Sequence, residues 1–167
     1  MHILPIWLCT DRYILDMEVI MYIDKIKTSA IEFRTALMAI LPELDSNVRV
    51  SSFPEGACLD IASMLIRYLE EQELGEFQTV SGWYEYSCGT LLGSHSWLQS
   101  GDLIVDITAD QFPDVIDPVI VRTNSEWHEG LVERSDPKPD NRFSEANSSS
   151  MLKTVYNMVT SKIESTR

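Results

Sequence analysis

A chain of 167 residues that is 44% hydrophobic and 23% charged has the make-up of an ordinary globular domain, and its length leaves room for one core rather than two. The formal net charge of −13 argues against nucleic acid and anionic membrane surfaces as partners, because both are recognised by clustered Lys and Arg. The acidity keeps such a chain soluble and by itself implies no basic substrate.

The run Ile3-Leu4-Pro5-Ile6-Trp7-Leu8 is too short to span a bilayer and has no basic residue before it, so it reads neither as an anchor nor as a secretory signal. Bulky Trp7 and Leu8 argue against lipidation of Cys9, and residues 1–16 read as an extension ahead of the first element. From about 16 to 41, Val19, Ile20, Ile23, Ile26, Ala30, Phe33, Leu37, Ile40 and Leu41 recur at steps of three and four, which predicts an amphipathic helix ended by Pro42. Phe53-Pro54-Glu55-Gly56 reads as a loop. Residues 57–71 form a second predicted helix with Cys58, Ile61, Ala62, Leu65, Ile66 and Leu69 on its inner stripe. Cys58 therefore sits at the amino end of a helix.

Downstream, segments 78–86, 94–99, 102–108 and 119–122 are rich in β-branched and aromatic residues and bounded by Gly, Ser, Asp and Pro, the pattern of an antiparallel sheet of four or more strands. Residues 124–150 are polar and turn-rich and read mostly as surface loop, with a short strand near 130–133. From 151 to about 164, Leu152, Val155, Tyr156, Val159 and Ile163 predict a closing helix that packs on the core. The expected class is α+β, one domain over 1–167. The cysteines Cys9, Cys58 and Cys88 are odd in number and contain no C-x-x-C pair; this argues against a disulfide framework or structural zinc and fits a reducing, cytoplasmic setting.

Ser100-Gly101 between two strand patterns suggests a tight hairpin. A loop centred on those two residues sets His95 opposite Asp106, close enough for the carboxylate to accept an imidazole N–H. Alternation puts His95, Trp97, Ile104 and Asp106 on one face and Leu98, Leu103, Val105 and Ile107 on the other. Packing the 57–71 helix on the His95 face is then expected to bring the thiol to the imidazole. A helix amino terminus and a neighbouring imidazolium both favour the thiolate, the reactive form. Histidine serves as base and then acid, while a carboxylate fixes its tautomer. Backbone N–H groups at the helix start, that of Cys58 included, can receive an oxyanion, although no second donor is visible.

Gly56-Ala57-Cys58 opening a helix, then Ser94-His95-Ser96-Trp97-Leu98, then Val105-Asp106-Ile107-Thr108, resembles the Cys…His…Asp order of the transglutaminase-like superfamily over about residues 53–112. The resemblance implies a papain-like core in which Cys58 is nucleophile, His95 general base and Asp106 its anchor. It also implies acyl-transfer chemistry on a protein or peptide, or on a small amide: hydrolysis, glutamine deamidation, or transfer to an amine or from a thioester. No cofactor or metal is required. Hydrolysis or deamidation is the expected reaction.

Other readings stand beside this one. Cys58 can be a core cysteine and His95–Asp106 a structural pair, in an idle fold that serves as a protein-interaction module. Cys88, seven residues before His95, is an alternative nucleophile that lacks a helix dipole. His128, amid Glu126, Trp127 and Glu129, reads as surface or pocket rim rather than a ligand. A metal bound by Cys58, Cys88, His95 and Asp106 has no matching spacing. Trp97 is expected to pack on the helix and shield the imidazole, while Asp110 and Gln111 stabilise a turn or line the site.

Overall fold

The computed structural model describes residues 7–86, 89–143 and 150–167, with side chains from residue 17 onward. Its elements run in the order α1 (Trp7–Ile40), α2 (Cys58–Glu71), β1 (Gln78–Glu85), β2 (Leu91–Ser100), β3 (Leu103–Asp106), β4 (Ile120–Thr123), α3 (Glu126–Glu129), β5 (Lys138–Pro139) and α4 (Ser150–Thr166). The strands form one antiparallel sheet in the order β4-β3-β2-β1-β5. The α+β class follows directly.

One face of the sheet carries Leu98, Leu103 and Val105, and with neighbouring Ile107 these pack against α1, α2 and α4 in the larger core. The predicted stripes supply it. Ile61, Ala62, Leu65, Ile66 and Leu69 of α2 are buried, as are Leu152, Val155, Tyr156, Val159 and Ile163 of α4. The opposite face carries a smaller core of Val80, Trp97, Ile104 and Leu131. Helix α1 begins at Trp7, well before the expected start near residue 16. Val19 and Ile20 are exposed, and among the described side chains burial begins near Ile26. At the other end the chain tightens into a 3₁₀ turn, Leu41–Glu43, around Pro42.

The β2–β3 hairpin differs from its expected register. Observed partners are Ser100–Leu103, Gln99–Ile104 and Leu98–Val105, so the loop is Gly101-Asp102 rather than Ser100-Gly101. Gly101 takes φ +56°, a left-handed conformation that suits glycine at the first position of a two-residue loop. The slip is two residues, which preserves the faces because side chains alternate with period two. His95 and Asp106 are therefore diagonal neighbours on one face, not directly opposed. The ladder stops at Leu98–Val105; Thr108, next in line for His95, leaves the sheet for the 3₁₀ turn Ala109–Gln111.

Helix α2 also packs on the other face of the sheet from the one expected. Its apolar stripe meets Leu98 and Val105, leaving the His95 face to Trp97 and the 126–135 segment. That segment is more structured than a surface loop. The strand expected near 130–133 is replaced by the short helix α3 and by a single bridge between Val132 and Trp83. Gly82 permits this approach, since a Cβ there would stand 3.0 Å from that of Leu131.

Arg34 of α1 is buried and ties the 107–118 connection down. Its guanidinium donates to Ile107 O and to Pro118 O at 3.0 Å, and pairs in bidentate fashion with Asp110 at 2.6 and 3.0 Å. Nothing in the spacing of the sequence announces this clamp, because its partners lie more than seventy residues away.

Candidate active site

Gly56, at φ +68°, turns the chain into Ala57, whose carbonyl accepts the first helical hydrogen bond from Ile61. Cys58 is the first residue of α2, where backbone N–H groups lack intrahelical partners and the helix dipole is positive. Its side chain is half-buried, with Sγ 4.0 Å from the Ser94 carbonyl oxygen on β2. Burial pushes the thiol up, but hydrogen bonding to His95, the charge of His95, and the backbone N–H groups of Ser96 and Leu59 overcome it, so the thiol ionises below its ordinary range.

His95 is 0% exposed. Its ring meets Phe112 and Trp127 edge-on, at 5.3 and 5.5 Å between centroids, and stacks near Trp97 at 6.0 Å. Trp97 shields the imidazole from within the smaller core and not, as expected, from the surface of α2. Nε2 lies 2.5 Å from Asp106 Oδ2. Burial lowers the imidazole, yet the charge and hydrogen bond of Asp106, with smaller contributions from Cys58, raise it to about 9. A lowered thiol beside a raised imidazole is the pattern of a thiolate–imidazolium pair.

Asp106 is 1% exposed and has a donor on every side. Oδ1 accepts the Thr108 backbone N–H at 2.8 Å and its hydroxyl at 3.0 Å; Oδ2 accepts from both His95 and, at 3.0 Å, His128 Nε2. Burial alone would raise this carboxyl, but His95 and His128 hold it far below the usual carboxylate range. A buried carboxylate is tolerated only with such saturation.

His128, expected at the surface or the pocket rim, is buried completely, at 0% exposure, against the carboxylate. Its Nδ1 is 2.7 Å from the buried Ser125 Oγ. The neighbours Glu126 and Glu129 make the segment polar in composition, but a one-turn helix turns them to solvent and His128 inward. The one local signal is Ser125 three residues before His128.

Gln111 stands at the mouth of the site. Its Nε2 donates to the Thr108 carbonyl at 2.8 Å and lies 3.1 Å from His95 Nδ1. With Nε2 engaged by Asp106, Nδ1 is the nitrogen left for Cys58 and Gln111. When His95 is neutral, an amide donor there places its proton on Nε2, pointing at the carboxylate.

Ligand atoms of His95, Asp106 and His128 lie within 4.8 Å of one another. The hydrogen bonding nevertheless fits protons rather than a cation: a metal-bound imidazole ordinarily donates its remote N–H to an acceptor, whereas His95 Nδ1 faces an amide donor. Cys88 lies outside the described residues, as do the side chain of Cys9 and any four-ligand arrangement involving Cys88. Among the described residues no helix is long and apolar enough to cross a membrane.

Two exposed apolar residues adjoin residues of the site in the chain or the ladder. Leu59 follows Cys58 on α2, and Trp83 is the cross-strand partner of Ser94, whose carbonyl adjoins the sulfur. Comparison with protein-family models, curated proteins and solved structures finds no match for this chain.

Proposed function

We propose that this chain is a cysteine-dependent acyl-transfer enzyme that hydrolyses or deamidates an amide, built on a papain-like, transglutaminase-like core. One observation carries the reading: a helix-tip thiol, a buried imidazole and a buried carboxylate interact in sequence, with the thiol shifted down and the imidazole up. A merely structural pair does not require a half-exposed thiol at its end.

In this mechanism the Cys58 proton resides on His95 Nδ1 and the thiolate attacks the amide carbon. The S–C bond forms as the carbonyl electron pair moves to oxygen, where the Cys58 backbone N–H receives it. Once Nδ1 is protonated, the Gln111 N–H has lost its acceptor, and it is the side-chain donor available to share that oxyanion. Collapse breaks the C–N bond while His95 protonates the departing nitrogen. Water then adds to the thioester, giving one proton to His95; the C–S bond breaks, the acid leaves, and the ion pair is restored. Asp106 stays ionised throughout and holds the ring. The exposed Leu59, next to Cys58, and the exposed Trp83, paired with Ser94, suit contact with a peptide segment.

The test is acylation and alkylation of Cys58. Iodoacetamide is expected to label Cys58 in the native protein at a pH where ordinary cysteines are inert, and Cys58→Ala should abolish that labelling while Cys9 and Cys88 substitutions leave it. Peptide and glutamine-containing substrates should then leave a thioester on Cys58, detected by mass after acid quench. Labelling that requires denaturant would instead favour an idle fold used for protein interaction.

A further inference from the structure

We propose that His128 is a positioning residue that sets how tightly Asp106 holds the His95 proton, by keeping a second N–H against the same carboxylate oxygen. This deepens the acyl-transfer reading and rests on it. Two imidazole nitrogens converge on Oδ2, His95 at 2.5 Å and His128 at 3.0 Å. All three residues are at most 1% exposed, so water does not substitute for either donor. The Ser125 hydroxyl, 2.7 Å from His128 Nδ1, donates there and leaves the His128 proton on Nε2, aimed at Asp106. Trp97 and Trp127 meet the His128 ring edge-on at 4.9 Å each and hold its plane.

The chemical consequence concerns proton return. A buried carboxylate bound to one imidazole alone would hold that proton strongly, making His95 a poor acid towards a leaving nitrogen, whereas efficient acid–base groups titrate near the working pH. Dividing Oδ2 between two donors drains charge from the His95 contact and returns the imidazole towards that range. Thr108 saturates Oδ1 in the same way. The groups facing His95 are few: Cys58, Asp106 and His128 directly, with Tyr84 and Asp114 beyond the Trp127 ring and Arg134 over the Trp97 ring at 5.9 Å. The last three reach the imidazole only through aromatic rings, so among the charged groups the carboxylate contact has the largest influence on its titration, acting against burial.

The experiment follows the His95 ring proton by NMR across pH, alongside the pH profile of Cys58 alkylation, in unaltered protein and in His128→Leu, His128→Gln and Ser125→Ala. His128→Leu should raise the His95 titration midpoint by roughly one pH unit, the scale of one lost hydrogen bond to a charged group. His128→Gln, which keeps an N–H, should return most of the way. Ser125→Ala, which releases the tautomer without emptying the core, should shift the midpoint in the same direction by less. An unmoved midpoint in a cooperatively folded His128→Leu protein overturns the proposal; if that variant does not fold, an unmoved midpoint in Ser125→Ala does so. Failure of the underlying reading is distinguishable, since there the unaltered protein itself resists native alkylation at Cys58.

Discussion

Replacing Asp106 by Asn tests the electrostatics of the site at one atom. Thr108 presents two donors to Oδ1, so the amide oxygen of Asn must occupy that position. Its NH₂ group then falls at Oδ2, directly against the N–H groups of His95 and His128. To escape a donor–donor clash, His95 must move its proton to Nδ1, where the Gln111 amide and the thiol already point. The imidazole also loses the charge that lifts it to about 9 from an ordinary 6.5, a preference for the cation worth about 3 kcal/mol. Burial then dominates and favours neutral imidazole and neutral thiol. The alkylation rate of Cys58 near pH 6 should fall at least ~100-fold, measured against a Cys58→Ala background and with circular dichroism confirming the fold. An Asp106→Asn protein that alkylates at the unaltered rate would refute the reasoning.

Three further outcomes follow from the same contacts. A raised His95 contributes stability that is present below its unfolded value near 6.5 and lost as pH rises towards 9, while a lowered Cys58 contributes stability of the opposite slope, present above its unfolded value and lost as pH falls. The thermal midpoint of Cys58→Ala should therefore decline more steeply with rising pH than that of the unaltered protein. Gln111→Leu removes the amide that favours neutral His95, so alkylation on the acid limb should rise about fivefold, the worth of one hydrogen bond, while turnover of any amide substrate falls for want of the oxyanion donor. Arg34→Ala leaves Asp110 and two carbonyls without their donor and should cost about 3–5 kcal/mol in urea unfolding, with Lys a poor substitute for the bidentate guanidinium.

Much of the architecture is written locally. The stripes of α2 and α4, the glycine before Cys58 and the alternation along β2 and β3 depend on periodicity, and periodicity is a property of neighbouring residues. They suffice for the α+β class, for Cys58 at a helix tip, and for His95 and Asp106 on one face. The face assignment survived a wrong register only because a slip of two residues leaves side-chain direction unchanged.

What the sequence did not contain was which surfaces meet. The choice of sheet face for α2, the reach of Arg34 across the fold, and the placement of His128 against Asp106 depend on residues far apart in the chain. A one-turn helix bearing two glutamates looks solvent-facing from its composition, and only the competition among tertiary contacts turns its histidine inward. Local order specified Cys58, His95 and Asp106; the second imidazole, and with it the full hydrogen bonding of Asp106, came from packing, because burying a charge demands partners wherever the fold can supply them.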